Sequence, residues 1–325
     1  MGPTSSSPWY NGRSVLVTGG AGFIGSHLVS LLSSGGAHVF VLDNRTDTPW
    51  SNLNDHEIRY TRMEGDVRDS ATIEHVFRTC SPAIVFHLAA NASVPNSVEN
   101  PRYDFETNAL GTFNVLEATR LIAPHARVVF ASSGAVYGEP GRAAITEETP
   151  TKPISPYGAS KLAGELHCRV YAETYSLNVI IGRIFNSFGP RMPRFVVLDF
   201  LRKLTQSSEV LEILGSGRQT RDFTYVSDTV AGLLLLAERG ERGAAYNIAS
   251  GVSHSVTQLA RQLLQLRGLT STTELRFTGD SWAGDAQHWE VCLDKIRTLG
   301  YTPRFSLGDG LAEVVSWFSK QEVAA

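Results

Sequence analysis

Short apolar runs alternate with stretches of helical period through the first half of the chain. Val15 to Val17 is apolar throughout and reads as a buried strand. Phe23, Ile24, Leu28, Leu31 and Leu32 follow at helical spacing. Further strands are predicted over Ala37 to Leu42, Ile58 to Met63, Ala83 to Ala90 and Arg127 to Ser133. Helices are predicted over Ala71 to Thr79, Val98 to Ile122 and Pro156 to about Tyr175, the last opened by Ser155 as N-cap and Pro156 at N1. Polar, proline-containing loops cover Asn44 to Asp55 and Glu139 to Pro153. This order predicts an α/β fold with a doubly wound parallel sheet. Later, Val196 to Leu204 reads as a helix and Leu211 to Leu214 as a strand.

Composition narrows the picture modestly. The 325 residues are 42% hydrophobic and 19% charged, with a net charge of −3. That balance suits a soluble globular protein and argues against a nucleic-acid or membrane surface. Cys80, Cys168 and Cys292 are far apart, so neither a disulfide framework nor a metal site is predicted. Met1 to Ser7 lacks the basic and apolar regions of a signal peptide, and a reducing, cytoplasmic setting is expected.

The turn after the first strand carries candidate chemistry. Gly20, Gly22 and Gly25 make one glycine frame, and Gly19, Gly22 and Gly25 another. Strand, glycine turn and helix form the context of a Rossmann dinucleotide-binding fingerprint. The helix entered at Phe23 and Ile24 would turn its N-terminal N–H groups to a pyrophosphate. Asp43, followed by Asn44, lies 18 positions after Gly25 at a strand end. A carboxylate there accepts bonds from ribose hydroxyls and repels a 2′-phosphate, which favours NAD over NADP.

Other strand ends add to the list. Asp66 and Val67 suit an adenine, the acid taking the amine and Val67 packing on the ring; alternatively this is a helix start capped by Asp69 or Ser70. Leu88, Ala89 and Ala90 are small or apolar residues against which a cofactor can lie. His87, in an apolar run, reads as a satisfied core histidine. Asn108 is unfavourable inside a helix; a kink, a polar contact near the nicotinamide or an exposed position would account for it. Ser132 and Ser133 end the fifth strand. Tyr157 and Lys161, four apart, share a helix face.

With these residues in hand the chain resembles the extended short-chain dehydrogenases/reductases of the nucleotide-sugar epimerase/dehydratase type. The likeness rests on Thr18 to Gly25, Asp43, Asp66-Val67, His87 to Ala90, Ser132-Ser133, Tyr157 with Lys161, Arg183 to Pro190, Arg221 to Val226 and Tyr246 to Gly251. It implies an NAD-binding Rossmann domain over 1–187, with a segment returning near 222–248, and a smaller mixed α/β substrate-binding domain over 188–325. It implies Tyr157 as base, with Lys161 lowering its pKa from about 10 and binding the nicotinamide ribose. Ser133 would bind the same oxygen. Asn186 and Arg221 would bind the diphosphate of a UDP-sugar, and a homodimer is expected. Gly284-Asp285 resembles a family Arg-Pro-Gly-Asp motif, but Ser281-Trp282-Ala283 stand before it, without the arginine.

Family dehydratases carry an Asp-Glu pair just after the catalytic hydroxyl residue, and decarboxylases usually a Glu. Gly134 and Ala135 stand there in this chain. The resemblance therefore points to a 4-epimerase working through a 4-keto sugar. Arg191 and Arg194 suit a C6 carboxylate, which makes UDP-glucuronate the expected substrate and UDP-galacturonate the product. UDP-glucose and UDP-N-acetylglucosamine are the alternatives.

Overall fold

A computed structural model describes residues 7–44, 48–54, 57–279 and 288–324. Strands β1 (Ser14–Thr18), β2 (His38–Asp43), β3 (Thr61–Glu64), β4 (Ile84–His87), β5 (Arg127–Ser133) and β6 (Asn178–Ile184) belong to one sheet. With a late strand, Ala245–Ile248, the order is late strand, β6, β5, β4, β1, β2, β3, and every pairing is parallel. The doubly wound sheet is therefore as predicted. Order reverses between β1 and β4, which opens a crevice at the C-terminal strand ends.

Both faces of the sheet are covered, which is why its strands read as continuous apolar runs. Val15 and Val17 join a core with Leu28 and Leu32 of helix α1 (Phe23–Ser34) and with Val230 and Leu233 of the helix Val226–Arg239. Leu16 faces the other way. It joins Ile73 of helix α2 (Ser70–Cys80), Val115 of the helix Gly111–Ile122 and Cys168 of the helix Pro156–Thr174.

The predicted third strand starts late, at Thr61, because it pairs only with the end of β2, Phe40 to Asp43. The continuous helix predicted over Val98 to Ile122 is interrupted. Helix α3 (Val94–Glu99) stops at Asn100, the residue before Pro101, where helical backbone is disfavoured. Helix α4 (Pro101–Phe105) then runs through a π-helical turn at Glu106–Leu110 into α5 (Gly111–Ile122). The next helix, α6 (Pro156–Thr174), starts as predicted: Ser155 accepts a bond from the Gly158 N–H at 3.1 Å.

After β6 the chain builds a smaller group of elements over the crevice. Helix α7 (Val196–Gln206) leads to the strand Val210–Ile213, which pairs in parallel with Glu274–Phe277. Thr220–Asp222 pairs antiparallel with Ser253–Ser255. Between these excursions the chain returns to the large sheet at Ala245–Ile248. Among the described residues no helix is long and apolar enough to cross a membrane.

Candidate active site

A cavity of about 790 Å³ fills the crevice at the strand ends and continues under α7. Its floor is the glycine turn. Gly19 has φ +70°, and a Cβ there would lie 2.6 Å from the Ala89 nitrogen. A Cβ at Gly25 would lie 2.2 Å from the Gly19 oxygen, so the helix start can sit on the turn only as glycine. Gly19, Gly22 and Gly25 line the cavity and Gly20 does not, which selects the frame that begins at Gly19. Gly22 is the N-cap of α1, and the first-turn N–H groups of Phe23, Ile24 and Gly25 have no partner within the helix. The cradle thus fits a pyrophosphate in shape and in charge.

Asp43 lines the same end and is 7% exposed. Its Oδ2 accepts a bond from Ala21 N–H at 3.1 Å, which ties the strand end to the turn. Asn44, Val67, Leu88, Ala89 and Ala90 also line the cavity. Asp66, between the lining residues Gly65 and Val67, does not itself line the cavity. Its carboxylate takes a 2.7 Å bond from Arg68 and a 2.9 Å bond from Asn44, and the Arg68 bonds help to hold its pKa down at about 2 against the opposing effect of burial. Asp69 caps α2 by accepting from Ala71 N–H at 3.1 Å, so the capping reading holds for Asp69. His87 is a core histidine. It bonds Thr18 at 2.7 Å and Thr112 at 3.1 Å, and burial pushes its pKa down to about 3.

Asn108 lies inside the π-helical turn and is fully buried. Its Oδ1 accepts from Asn91 N–H at 2.9 Å, and its Nδ2 donates to Asn91 O, Asp104 and Ser160. The kink is therefore present, and the exposed position is excluded. The contacts are to protein groups beside the cavity, which Asn108 does not line.

Ser133, Tyr157 and Lys161 come together at the end of β5. The Ser133 hydroxyl accepts from Ala135 N–H at 3.2 Å and lies near enough to the Tyr157 phenol to act on its pKa. Burial pushes the phenol up; the Ser133 hydroxyl and the Arg194 charge pull it down, and the Asp104 charge pushes it up. The Lys161 ammonium donates to Ala131 O at 2.7 Å, and burial lowers its pKa to about 8. Ser132 lines the cavity, but its hydroxyl donates to Glu165 at 2.6 Å.

On the substrate side Asn186 lines the cavity, and its buried Nδ2 has no hydrogen-bond partner in the protein. Arg221 lines it too, 9% exposed, with its guanidinium 5.4 Å from the Trp289 ring centre. The two candidate carboxylate arginines separate. Arg194 lines the cavity, whereas Arg191, at φ +68°, does not and reaches toward Ser30 of α1 at 3.4 Å. Asp285 lies outside the described residues. Among those described, no group of three His, Cys, Asp or Glu residues is placed to hold a metal.

Sequence reasoning missed two buried networks. One joins Asp104, Asn91 and Ser160 to Asn108. The other pairs Glu165 with Arg183 at 2.7 Å, both almost fully buried, with Tyr137 donating onward to Asn247 at 2.7 Å. A signal for the second was available: Glu165 continues the four-residue stripe of Tyr157 and Lys161 along α6.

A family profile described as GDP-mannose 4,6 dehydratase matches residues 16–311. A UDP-glucuronic acid decarboxylase of Xenopus tropicalis is 34% identical over 95% of this chain and 73% of its own. The solved UDP-glucose 4-epimerase of Thermotoga maritima, with UDP-glucose, superposes with a TM-score of 0.88 at 34% identity, over 95% of this chain and 99% of that one. A dTDP-glucose 4,6-dehydratase double mutant of Streptomyces venezuelae, with NAD bound, gives 0.87 at 33% identity, covering 95% and 98%.

Proposed function

The chain belongs to the nucleotide-sugar epimerase and dehydratase family of extended short-chain dehydrogenases/reductases, and from that premise we propose an NAD-dependent UDP-sugar 4-epimerase that converts UDP-glucuronate to UDP-galacturonate. The observation that carries this reading is at Gly134. A Cβ there would sit 2.7 Å from the Phe185 ring, so the position has no room for an acid, and Ala135 supplies none. Elimination of water needs such a group, whereas removal and return of a hydride do not.

Bound NAD supplies the hydride acceptor and donor. The backbone at Gly19, Gly22 and Gly25 would hold its pyrophosphate, Asp43 its adenosine ribose and Lys161 its nicotinamide ribose. Tyr157 takes the proton of the sugar C4 hydroxyl and returns it to the same oxygen when the hydride comes back to the opposite face of the 4-ketone. Ser133 binds the same oxygen and keeps the phenol oriented. Asn186 and Arg221 grip the diphosphate, the guanidinium fork matching two oxygens. Arg194, cationic and beside the phenol, grips the C6 carboxylate. That grip holds the carboxylate away from the alignment in which a 4-keto hexuronate loses carbon dioxide.

A second reading, UDP-glucose 4-epimerisation, is favoured by the likeness to the Thermotoga enzyme. Product NMR with each sugar nucleotide separates the two. UDP-galacturonate should form from UDP-glucuronate with little pentose, and Arg194→Ala should reduce that turnover far more than turnover of UDP-glucose. UDP-xylose as main product, or turnover of UDP-glucose alone, would sink the hexuronate assignment.

A further inference from the structure

Asp104 lies on α4 with no exposed surface, an unusual place for a carboxylate. Its oxygens are fully engaged. Oδ1 accepts from Asn91 Nδ2 at 2.9 Å and from Asn108 Nδ2 at 3.0 Å. Oδ2 accepts from the Ser160 hydroxyl at 2.6 Å. Ser160 stands beside Lys161 on the first turns of α6, and its hydroxyl has one hydrogen. It lies 3.0 Å from Tyr157 O and 2.6 Å from Asp104, so the shorter, charge-assisted bond takes the hydrogen. The π-helical turn makes this possible. It swings Asn108 inward, where its amide bridges Asp104, Ser160 and the Asn91 carbonyl. Tyr157 N–H is fixed from a third side by Ser97 Oγ at 3.1 Å.

The charges around this cluster are few. Lys161, 3% exposed, feels Asp104 ahead of Cys168 and Glu165 on its own helix, and His87 faces it from β4 as a neutral ring. Glu165 is matched by Arg183. Tyr157 feels Asp104 and Arg194. Arg102 and Glu106, flanking Asp104 in sequence, pair with each other at 3.6 Å toward solvent.

Resting on the assignment of Tyr157 and Lys161 as the reacting pair, we propose that Asp104 is a positioning residue of the active site. It is a buried carboxylate that fixes the first turn of α6 through Ser160 and supplies the negative charge that balances the Lys161 ammonium. Asp104 raises the proton affinity of both partners, Lys161 against the opposing effect of burial and Tyr157 along with it.

Asp104→Asn tests this, because an amide keeps the bonds from Asn91 and Asn108 and can donate to Ser160 once that hydroxyl turns to Tyr157 O. In protein labelled with ¹³Cε-lysine, the Lys161 signal, assigned by its loss in Lys161→Met, is titrated by NMR. Its midpoint should fall by at least one pH unit in Asp104→Asn, a tenfold loss of proton affinity. In turnover of UDP-glucuronate or UDP-glucose, both limbs of the kcat profile should move to lower pH. A role in packing alone would lower kcat with the limbs in place, and an unchanged Lys161 midpoint overturns the proposal. Should Asp104→Asn not fold, the ¹³C carboxyl signal of Asp104 decides. It should be ionised at pH 7 and titrate higher in Lys161→Met, and a protonated Asp104 at pH 7 is the opposite result. Tyr157→Phe serves as control. Retained turnover there refutes the assignment of the base, while the Lys161 titration still judges Asp104.

Discussion

Replacing Glu165 with alanine removes the partner of a guanidinium that has no water to turn to. Arg183 is 1% exposed and donates its strongest bonds to Glu165, at 2.7 Å from Nη2 and 2.9 Å from Nε. Its other contacts, Tyr137 Oη and Glu147 O, are neutral. Breaking a buried pair from one side costs about 3–5 kcal/mol, because one charge stays buried without its counterion. Unfolding entropy of about 2.1 cal/mol/K per residue over 325 residues is about 0.7 kcal/mol/K, so Tm should fall by roughly 4–7 °C. Calorimetry and urea titration read these values directly. The double variant Glu165→Met with Arg183→Met should be no less stable than Glu165→Ala, since the unmatched charge is gone. Ser132 also loses the acceptor of its hydroxyl in Glu165→Ala, so the end of β5 that carries Ser133 should loosen and kcat should drop. A loss of stability below about 1 kcal/mol, within the range of an exposed pair, would refute the picture of a dry, obligate ion pair.

Asp43→Ala should weaken NAD binding and relax discrimination against NADP in calorimetric titration; equal affinity of the wild type for both would remove Asp43 from that role. The Lys161 pKa is lowered in the folded chain to about 8, so between about pH 8 and the unfolded value near 10.4 the unfolded state binds the extra proton, and stability rises with pH by up to about 1.4 kcal/mol per unit. Below that window the cost of burying the charge is constant; urea midpoints should therefore climb across it in the wild type and stay flatter in Lys161→Met. Leu166 and Val170, one turn apart on α6 and both more than half exposed, should be covered in a homodimer with Phe105 and Leu121. Light scattering should give twice the chain mass, and Leu166→Lys with Val170→Lys should give monomer; a wild-type monomer at micromolar concentration contradicts this.

The sheet was legible because burial on both faces writes itself into continuous apolar strands, and the glycine turn because few residues tolerate its geometry. Tyr157 and Lys161 stood out by their four-residue spacing together with their place after the strand that ends in Ser133. The interrupted helix was readable at Pro101 and was passed over because the apolar period continues through it. The π-helical turn left one trace, an asparagine in a helix interior, and only the fold shows that it faces Asp104 and Ser160. Arg191 and Arg194 looked equivalent in sequence. A left-handed backbone at Arg191 sends one toward α1 and leaves the other lining the cavity, and no local pattern of residue types encodes that divergence.

The ring of Phe185 against Gly134 also bears on how such a chain can change its chemistry over time. An acid introduced at 134 in the present background meets an aromatic edge before it meets a sugar, so that single step yields a strained protein and no new activity. Trimming Phe185 first opens a hole between Tyr137 and Trp289, whose rings lie 6.1 and 5.4 Å from it, and gains nothing by itself. An acid pair at 134 and 135 therefore needs Phe185 to give way as well, so the packing of this one ring limits which side chains the end of β5 can accept.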